Sequence, residues 1–150
     1  MVYLEYDSPV GRLFLASDGS SLKVLGFGNA TGETGNDPVL EMAKNWLDDY
    51  FQGRFREMWF PLAPEGTAFQ KKVWQLLLEI PYGETVSYGD LARKLGKTMS
   101  AQAVGQAVGK NPIAILIPCH RVVGAKGQLT GYAWGVEKKK WLLDLEAGRE

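Results

Sequence analysis

Pro61-Leu62-Ala63-Pro64-Glu65-Gly66 does more than any other segment to limit what this chain can fold into. Prolines so close together, followed by a glycine, break both helix and central strand, so the elements on either side must close separately. The character of the chain changes at the same place. Before it, short apolar runs between turn residues are followed by one helically spaced set; after it, helical spacing prevails. Residues 1–65 hold five basic and ten acidic residues, whereas residues 66–150 hold twelve basic and seven acidic. Over 150 residues the formal charge sums to zero, which excludes a histone-like binder that works through a whole-chain basic field. The expectation is two domains, 1–62 and 63–150, in a chain long enough to bury a real core.

The first domain reads as α/β, a small antiparallel sheet plus a helix. Val2–Tyr6 and Arg12–Ala16 flank the turn residues Asp7–Gly11 as a hairpin, and Leu22–Phe27 is a third strand. The glycines between Gly26 and Gly35 do not have the spacing of a phosphate-binding fingerprint, so that segment is a loop. Asp37-Pro38 pairs an N-cap with a proline in the first turn. Val39, Leu40, Ala43, Trp46, Leu47 and Tyr50 then repeat at helical spacing until Gly53. Glu57–Leu62 is read as one more strand. The second domain reads as mainly α, of helix-turn-helix or winged-helix type. Thr67…Gln70 has capping-box form and opens one helix, Ser87 a second that ends at Gly96, and Ser100 a third over Ala101–Val108. The last two make the helix-turn-helix candidate. Ile113–Ile117 is read as a short buried strand or extended segment, Gly127–Gly131 as a wing between short strands, and Val136–Leu145 as a final helix.

The chain has one cysteine and one histidine, and they are adjacent: Cys119 and His120. One cysteine excludes an internal disulfide, and the pair is too few for a zinc site of standard composition. From Leu91 to Val136 there is no acidic residue, while Arg93, Lys94, Lys97, Lys110, Arg121 and Lys126 are present. A thiol in such surroundings is expected to have a lowered pKa and to act as a nucleophile. The competing reading is a buried small hydrophobe. On an extended chain neighbouring side chains point opposite ways, so His120 would need a bridging water or a turn to serve Cys119. Glu146 is the candidate carboxylate to orient the imidazole. The outward face of 101–109 offers Ala101, Gln102, Gly105, Gln106 and Gly109, all small or uncharged. Such a face suits a backbone that approaches a minor groove closely, or close packing on another helix, and the residues alone leave the two readings level. Acids near the N-terminus argue against a signal peptide, and no apolar run approaches a membrane span. The expected location is the cytoplasm, with no membrane partner.

Pro118-Cys119-His120-Arg121-Val122, preceded by Gly109-Lys110-Asn111-Pro112 and Ile115-Leu116-Ile117, closely resembles the active-site segment of the O6-alkylguanine-DNA alkyltransferases. Tyr82–Tyr88, Ala103-Val104-Gly105, Gly131-Tyr132 and Lys139…Trp141-Leu142-Leu143…Glu146 extend the likeness over about residues 66–147. The resemblance implies direct-reversal repair. The alkyl group of O6-alkylguanine, or of O4-alkylthymine, in duplex DNA would pass to Cys119 once per molecule, after the nucleotide is flipped out. It implies minor-groove binding by a monomer, with no cofactor and no metal. By position, His120 would act as a base through a water, Glu146 would orient it, and Asn111 would tie the helix-turn-helix to the active-site segment. Tyr88, Val122, Tyr132, Ala133 and Trp134 would form the alkylguanine pocket, with Tyr88 protonating guanine N3. Ala101, Gln102, Ala103, Gly105, Lys110 and Arg121 would meet DNA. Two positions depart from the family pattern. Gln102 stands where an arginine usually fills the space of the flipped base, which implies weaker binding or flipping; a natural variant and an engineered one would look alike here. Trp134 stands where some relatives have a small residue, and is expected to narrow the pocket. Three other readings remain at this point: a non-catalytic binder of alkylated DNA, a winged-helix regulator that senses alkylators through Cys119, and a cysteine hydrolase.

Overall fold

The computed structural model describes residues 1–96 and 99–148. The chain forms two compact units, Met1–Glu65 with Pro112–Ala114, and Gly66–Asn111 with Ile115–Glu150.

In the first unit, β1 (Val2–Ser8), β2 (Gly11–Ser17) and β3 (Leu22–Phe27) form an antiparallel sheet in the order β1-β2-β3. The β1–β2 register runs from Val2 opposite Ser17 to Ser8 opposite Gly11, and the β2–β3 register shifts at Ala16/Ser17. Helix α1 (Pro38–Phe51) begins where Asp37 accepts a hydrogen bond from the Leu40 amide. That contact satisfies one of the amides that a helix start leaves open. Its inward face, Leu40, Ala43, Trp46, Leu47 and Tyr50, is buried with Leu13, Leu15 and Leu25 of the sheet. Each large apolar side chain in this layer contributes roughly 1.5–3 kcal/mol. Glu57–Leu62 departs from the expectation of a strand. Only Leu62 pairs, as a single bridge to Leu22, because Pro61 and Pro64 bracket it with residues that cannot donate to a ladder.

The second unit is mainly helical. Helices α2 (Ala68–Leu78), α3 (Tyr88–Leu95), α4 (Ala101–Gly109) and α5 (Val136–Glu146) surround a core that includes Val73, Trp74, Leu77, Leu91, Val104, Val108, Leu142 and Leu145. Thr67 with Gln70 and Ser87 with Asp90 form complete capping boxes, and Ser100 caps α4. The Trp74 indole donates to the Ala107 carbonyl at 2.9 Å and so pins α4 against α2. Helices α3 and α4 pack on one another as a helix-turn-helix. Lys97, one cation of the acid-free stretch, lies outside the described residues. Strands β4 (Val86–Ser87) and β5 (Val122–Val123) pair in parallel.

Two expectations for this region are corrected. Ile113–Ile117 is not a strand: Ile113 alone bridges to Leu25, and the chain then turns over Ala114–Leu116 with Ile115 at φ 70°. The wing is reduced to the turn closed by Gly124 N–H on the Gln128 carbonyl, and no returning strand follows among the described residues. The Thr130 and Gly131 carbonyls that a returning strand would use are taken by the Lys139 ammonium instead.

Candidate active site

The Cys119 environment is built by consecutive tight turns. Pro118, at φ −81° and ψ 65°, sits at the centre of an inverse γ-turn in which the Cys119 amide donates to the Ile117 carbonyl at 2.8 Å. A single 3₁₀ turn, Cys119–Arg121, follows. Adjacent side chains are therefore not opposed as they would be on an extended chain. The Ile117 carbonyl also accepts from Asn111 Nδ2 at 2.8 Å, and the Asn111 side chain hydrogen-bonds the thiol as well. Asn111 thus links the end of α4 to the Ile117–Cys119 turn.

The expectation of a lowered thiol pKa is overturned. Cys119 is 5% exposed, and burial pushes its pKa up to about 11 despite the opposing pull of Asn111 and Lys139. The two basic residues that follow it in sequence point to Glu146. His120 Nε2 lies 2.6 Å from Glu146 Oε2, and Arg121 Nε donates to Glu146 Oε1 at 2.7 Å. Burial alone would raise the Glu146 pKa, but these two contacts outweigh it and hold the carboxyl down to about 2. Burial, the largest influence on the fully enclosed His120 ring, lowers its pKa. With Nε2 bonded to a carboxylate oxygen, the neutral ring carries its hydrogen there. Nδ1 is buried and makes no hydrogen bond among the described residues. A neutral thiol followed on the same turn by a neutral imidazole whose Nδ1 can accept a proton suits general-base activation of a nucleophile.

Arg121 departs from the expected role of a DNA-facing cation. It is 6% exposed, and it donates from Nη1 to the Ile80 carbonyl at 2.7 Å as well as to Glu146. The other expected DNA-facing residues are placed outward: Ala101, Gln102 and Lys110 are exposed and Ala103 is half-buried. Gly105 lies closer in, where a Cβ would touch the Tyr88 ring at 3.7 Å.

Cys119 opens onto a cavity of about 370 Å³. This lies at the lower end of small-molecule pockets, about 300–1,000 Å³. Its walls bring together Tyr88, Tyr132, Ala133 and Trp134, while α4 supplies Gly105, Val108 and Gly109. Trp134 stands edge-on to Tyr132 with ring centroids 5.3 Å apart. Val122 does not line the cavity. It is fully buried in β5 opposite Val86.

Sequence reasoning passed over Lys139, which is fully buried. Its Nζ donates to the Thr130 carbonyl at 2.9 Å and to the Gly131 carbonyl at 3.3 Å, and it lies 5.9 Å from the Tyr88 ring centroid. It therefore holds the loop that enters the cavity wall. The available signal was positional: 139, 142 and 146 share one face of α5, and Leu142 and Glu146 on that face are buried too.

The family described as 6-O-methylguanine DNA methyltransferase matches this chain twice, by its ribonuclease-like domain over residues 1–64 and by its DNA binding domain over residues 68–148. The methylated-DNA--protein-cysteine methyltransferase of Methanosarcina acetivorans is 44% identical over 153 residues, covering 97% of this chain and 98% of that protein. The protein of the same name from Mycobacterium tuberculosis is 47% identical over 153 residues, covering 98% and 93%. The crystal structure of Mycobacterium tuberculosis OGT in complex with DNA superposes with a TM-score of 0.91 at 46% identity, covering 99% of this chain and 94% of that one. An O6-methylguanine DNA methyltransferase from Methanococcus jannaschii gives 0.71 at 29% identity, covering 96% and 93%. With both halves matched in order and identity above 40% over nearly the whole length, the chain belongs to the 6-O-methylguanine DNA methyltransferase family.

Proposed function

We propose that this protein repairs alkylated duplex DNA by moving the alkyl group from guanine O6, or from thymine O4, to Cys119 in a single irreversible transfer. The observation that carries the reading is the buried thiol on the wall of a cavity, followed on the same 3₁₀ turn by an imidazole held by a buried carboxylate. In the reaction the Cys119 sulfur attacks the alkyl carbon, a C–S bond forms, and the C–O6 bond breaks. The thiol proton passes through a water to His120 Nδ1, the departing guanine anion takes one proton at N3 from the Tyr88 hydroxyl, and the proton on His120 is returned through solvent to the tyrosinate, so that no net proton is gained or lost. A thioether has no ready leaving group for return, so each molecule acts once. The thiol is buried at the cavity wall, and a base within the stack cannot reach it, so the nucleotide must be flipped out. The face of α4 supports a minor-groove approach: Ala101 and Gln102 are exposed, and a glycine follows at 105 beside the cavity. The DNA complex of the Mycobacterium tuberculosis relative supports duplex DNA as the partner.

Incubation with a duplex carrying one O6-methylguanine tests the reading. The expected result is methylation of the Cys119 peptide, seen by mass spectrometry, that saturates at one methyl per protein and is abolished by Cys119→Ala. Tight binding without modification would favour a non-catalytic binder. Repeated turnover would favour hydrolysis.

A further inference from the structure

Arg121 is left over by this mechanism, since its burial removes it from any surface that could meet DNA. Its geometry is nonetheless specific. The Glu146 carboxylate divides its two oxygens, Oε2 to His120 at 2.6 Å and Oε1 to Arg121 at 2.7 Å, and all three side chains are 8% exposed or less. The guanidinium is anchored a second time on the Ile80 carbonyl, and the Tyr82 ring lies 5.7 Å from it.

We propose that Arg121 is a positioning residue for the transfer: by neutralising Glu146 within the buried cluster it keeps His120 uncharged at rest, with Nδ1 open to receive the thiol proton. The inference rests on the proposed use of Cys119 and His120 above. The argument is a count of charge in a dry place. With Arg121 cationic, Glu146 anionic and His120 neutral, the cluster carries no net charge. A further proton on His120 would bury a net positive charge, which is costly without a partner. Without Arg121 the cluster would carry −1, and a proton taken from solvent would restore neutrality. That proton would either occupy Nδ1, which removes the base, or neutralise Glu146, which removes the group that orients the ring. The other groups that face the relay act in the same sense. Lys139, from α5, opposes charge on His120, and Arg121 does likewise, against the pull of Glu146. Cys119, on the same turn, is neutral at rest, and Tyr132 faces both Cys119 and Glu146 as a neutral phenol held above its ordinary pKa by burial.

His120 is the only histidine, so a histidine-labelled sample gives one imidazole signal to follow by NMR. In the wild type the ring should be the neutral Nε2–H form at pH 7, and methyl transfer to Cys119 should vary less than about threefold between pH 6.5 and 9. In Arg121→Met the ring should titrate at least one pH unit higher than in the wild type. Transfer should then be about tenfold slower at pH 6.5 than at pH 9. Arg121→Lys keeps the charge and should restore both the ring state and the flat profile. A uniform loss of rate across pH in Arg121→Met, or an unshifted ring, would assign Arg121 a packing role and overturn the proposal. If Arg121→Met does not fold, Arg121→Gln, which removes the charge and keeps polar contacts, is read in the same way, and an unshifted ring with a flat pH profile overturns the proposal. Failure of the proposed repair reaction would show separately, as a neutral ring in a wild-type protein that does not become methylated.

Discussion

At the scale of single residues, the chemistry of this site turns on what burial does to a thiol. Cys119 is neutral because it is enclosed, so its reactivity depends on removing the proton at the moment of attack. A group whose pKa is raised to about 11 is almost wholly thiol below that pH and becomes thiolate only above it. In His120→Ala, therefore, alkylation of Cys119 by a small haloacetamide should climb about tenfold per pH unit between pH 7 and 10. The wild type, with its base in place, should change much less. Loss of free thiol with time at each pH measures both, and a plateau in His120→Ala at or below pH 8 would mean that the thiol is already ionised. Cys119, His120 and Glu146 were legible in the sequence because the first two are unique and the third is a carboxylate on the right helix. Arg121 and Lys139 were not. Basic residues are ordinarily surface residues. Only the fold shows that one faces Glu146 and the other two backbone carbonyls.

At the scale of elements, four helices were legible because each carries a start signal that acts locally: Asp37-Pro38, Thr67…Gln70, Ser87…Asp90 and Ser100, with Gly96 as a stop for α3. Ile113–Ile117 was not, since an unbroken apolar run specifies burial and no period. A β-branched residue at positive φ, as Ile115 is, has no mark in sequence at all. Helix α4 is the element on which DNA recognition should depend, and its exposed face bears no charged residue between Ala101 and Gly109. Gln102 can insert into the stack and hydrogen-bond, but a guanidinium would add charge-assisted contacts and stack better. Gln102→Arg should tighten binding to an alkylated duplex by about 1.5 kcal/mol, or tenfold. Fluorescence anisotropy at fixed salt measures this, and unchanged affinity would exclude position 102 from the interface. The substitution is exposed, so the thermal midpoint should stay where it is.

At the scale of the whole molecule, the absence of net charge conceals a division. The first half of the chain carries the excess of acid and the second the excess of base. Part of that basic excess is already engaged within the second unit. Arg93 pairs with Asp90, Lys140 with Asp144 and Arg121 with Glu146, while Lys139 is buried on carbonyls. Lys110, at the end of α4, and Lys126, in the turn after β5, are exposed cations near in sequence to the helix proposed to face DNA and to the cavity loop. A protein that neutralises few phosphates releases few counterions, and the salt dependence of its DNA affinity is correspondingly shallow. With two or three such contacts, log K against log salt should have a slope of about −2 to −3 on an undamaged duplex. Gln102→Arg should steepen it by no more than about 1, since it adds one cation. Titrations between 50 and 300 mM salt, the range over which about six or more contacts would cost orders of magnitude in affinity, test this directly. A wild-type slope near −6 would mean that the paired cations, or those of the first half, also reach phosphates. A shallow slope combined with retained preference for the alkylated duplex would locate discrimination in the cavity and in extrusion of the base, because phosphate contacts are the same on damaged and undamaged DNA.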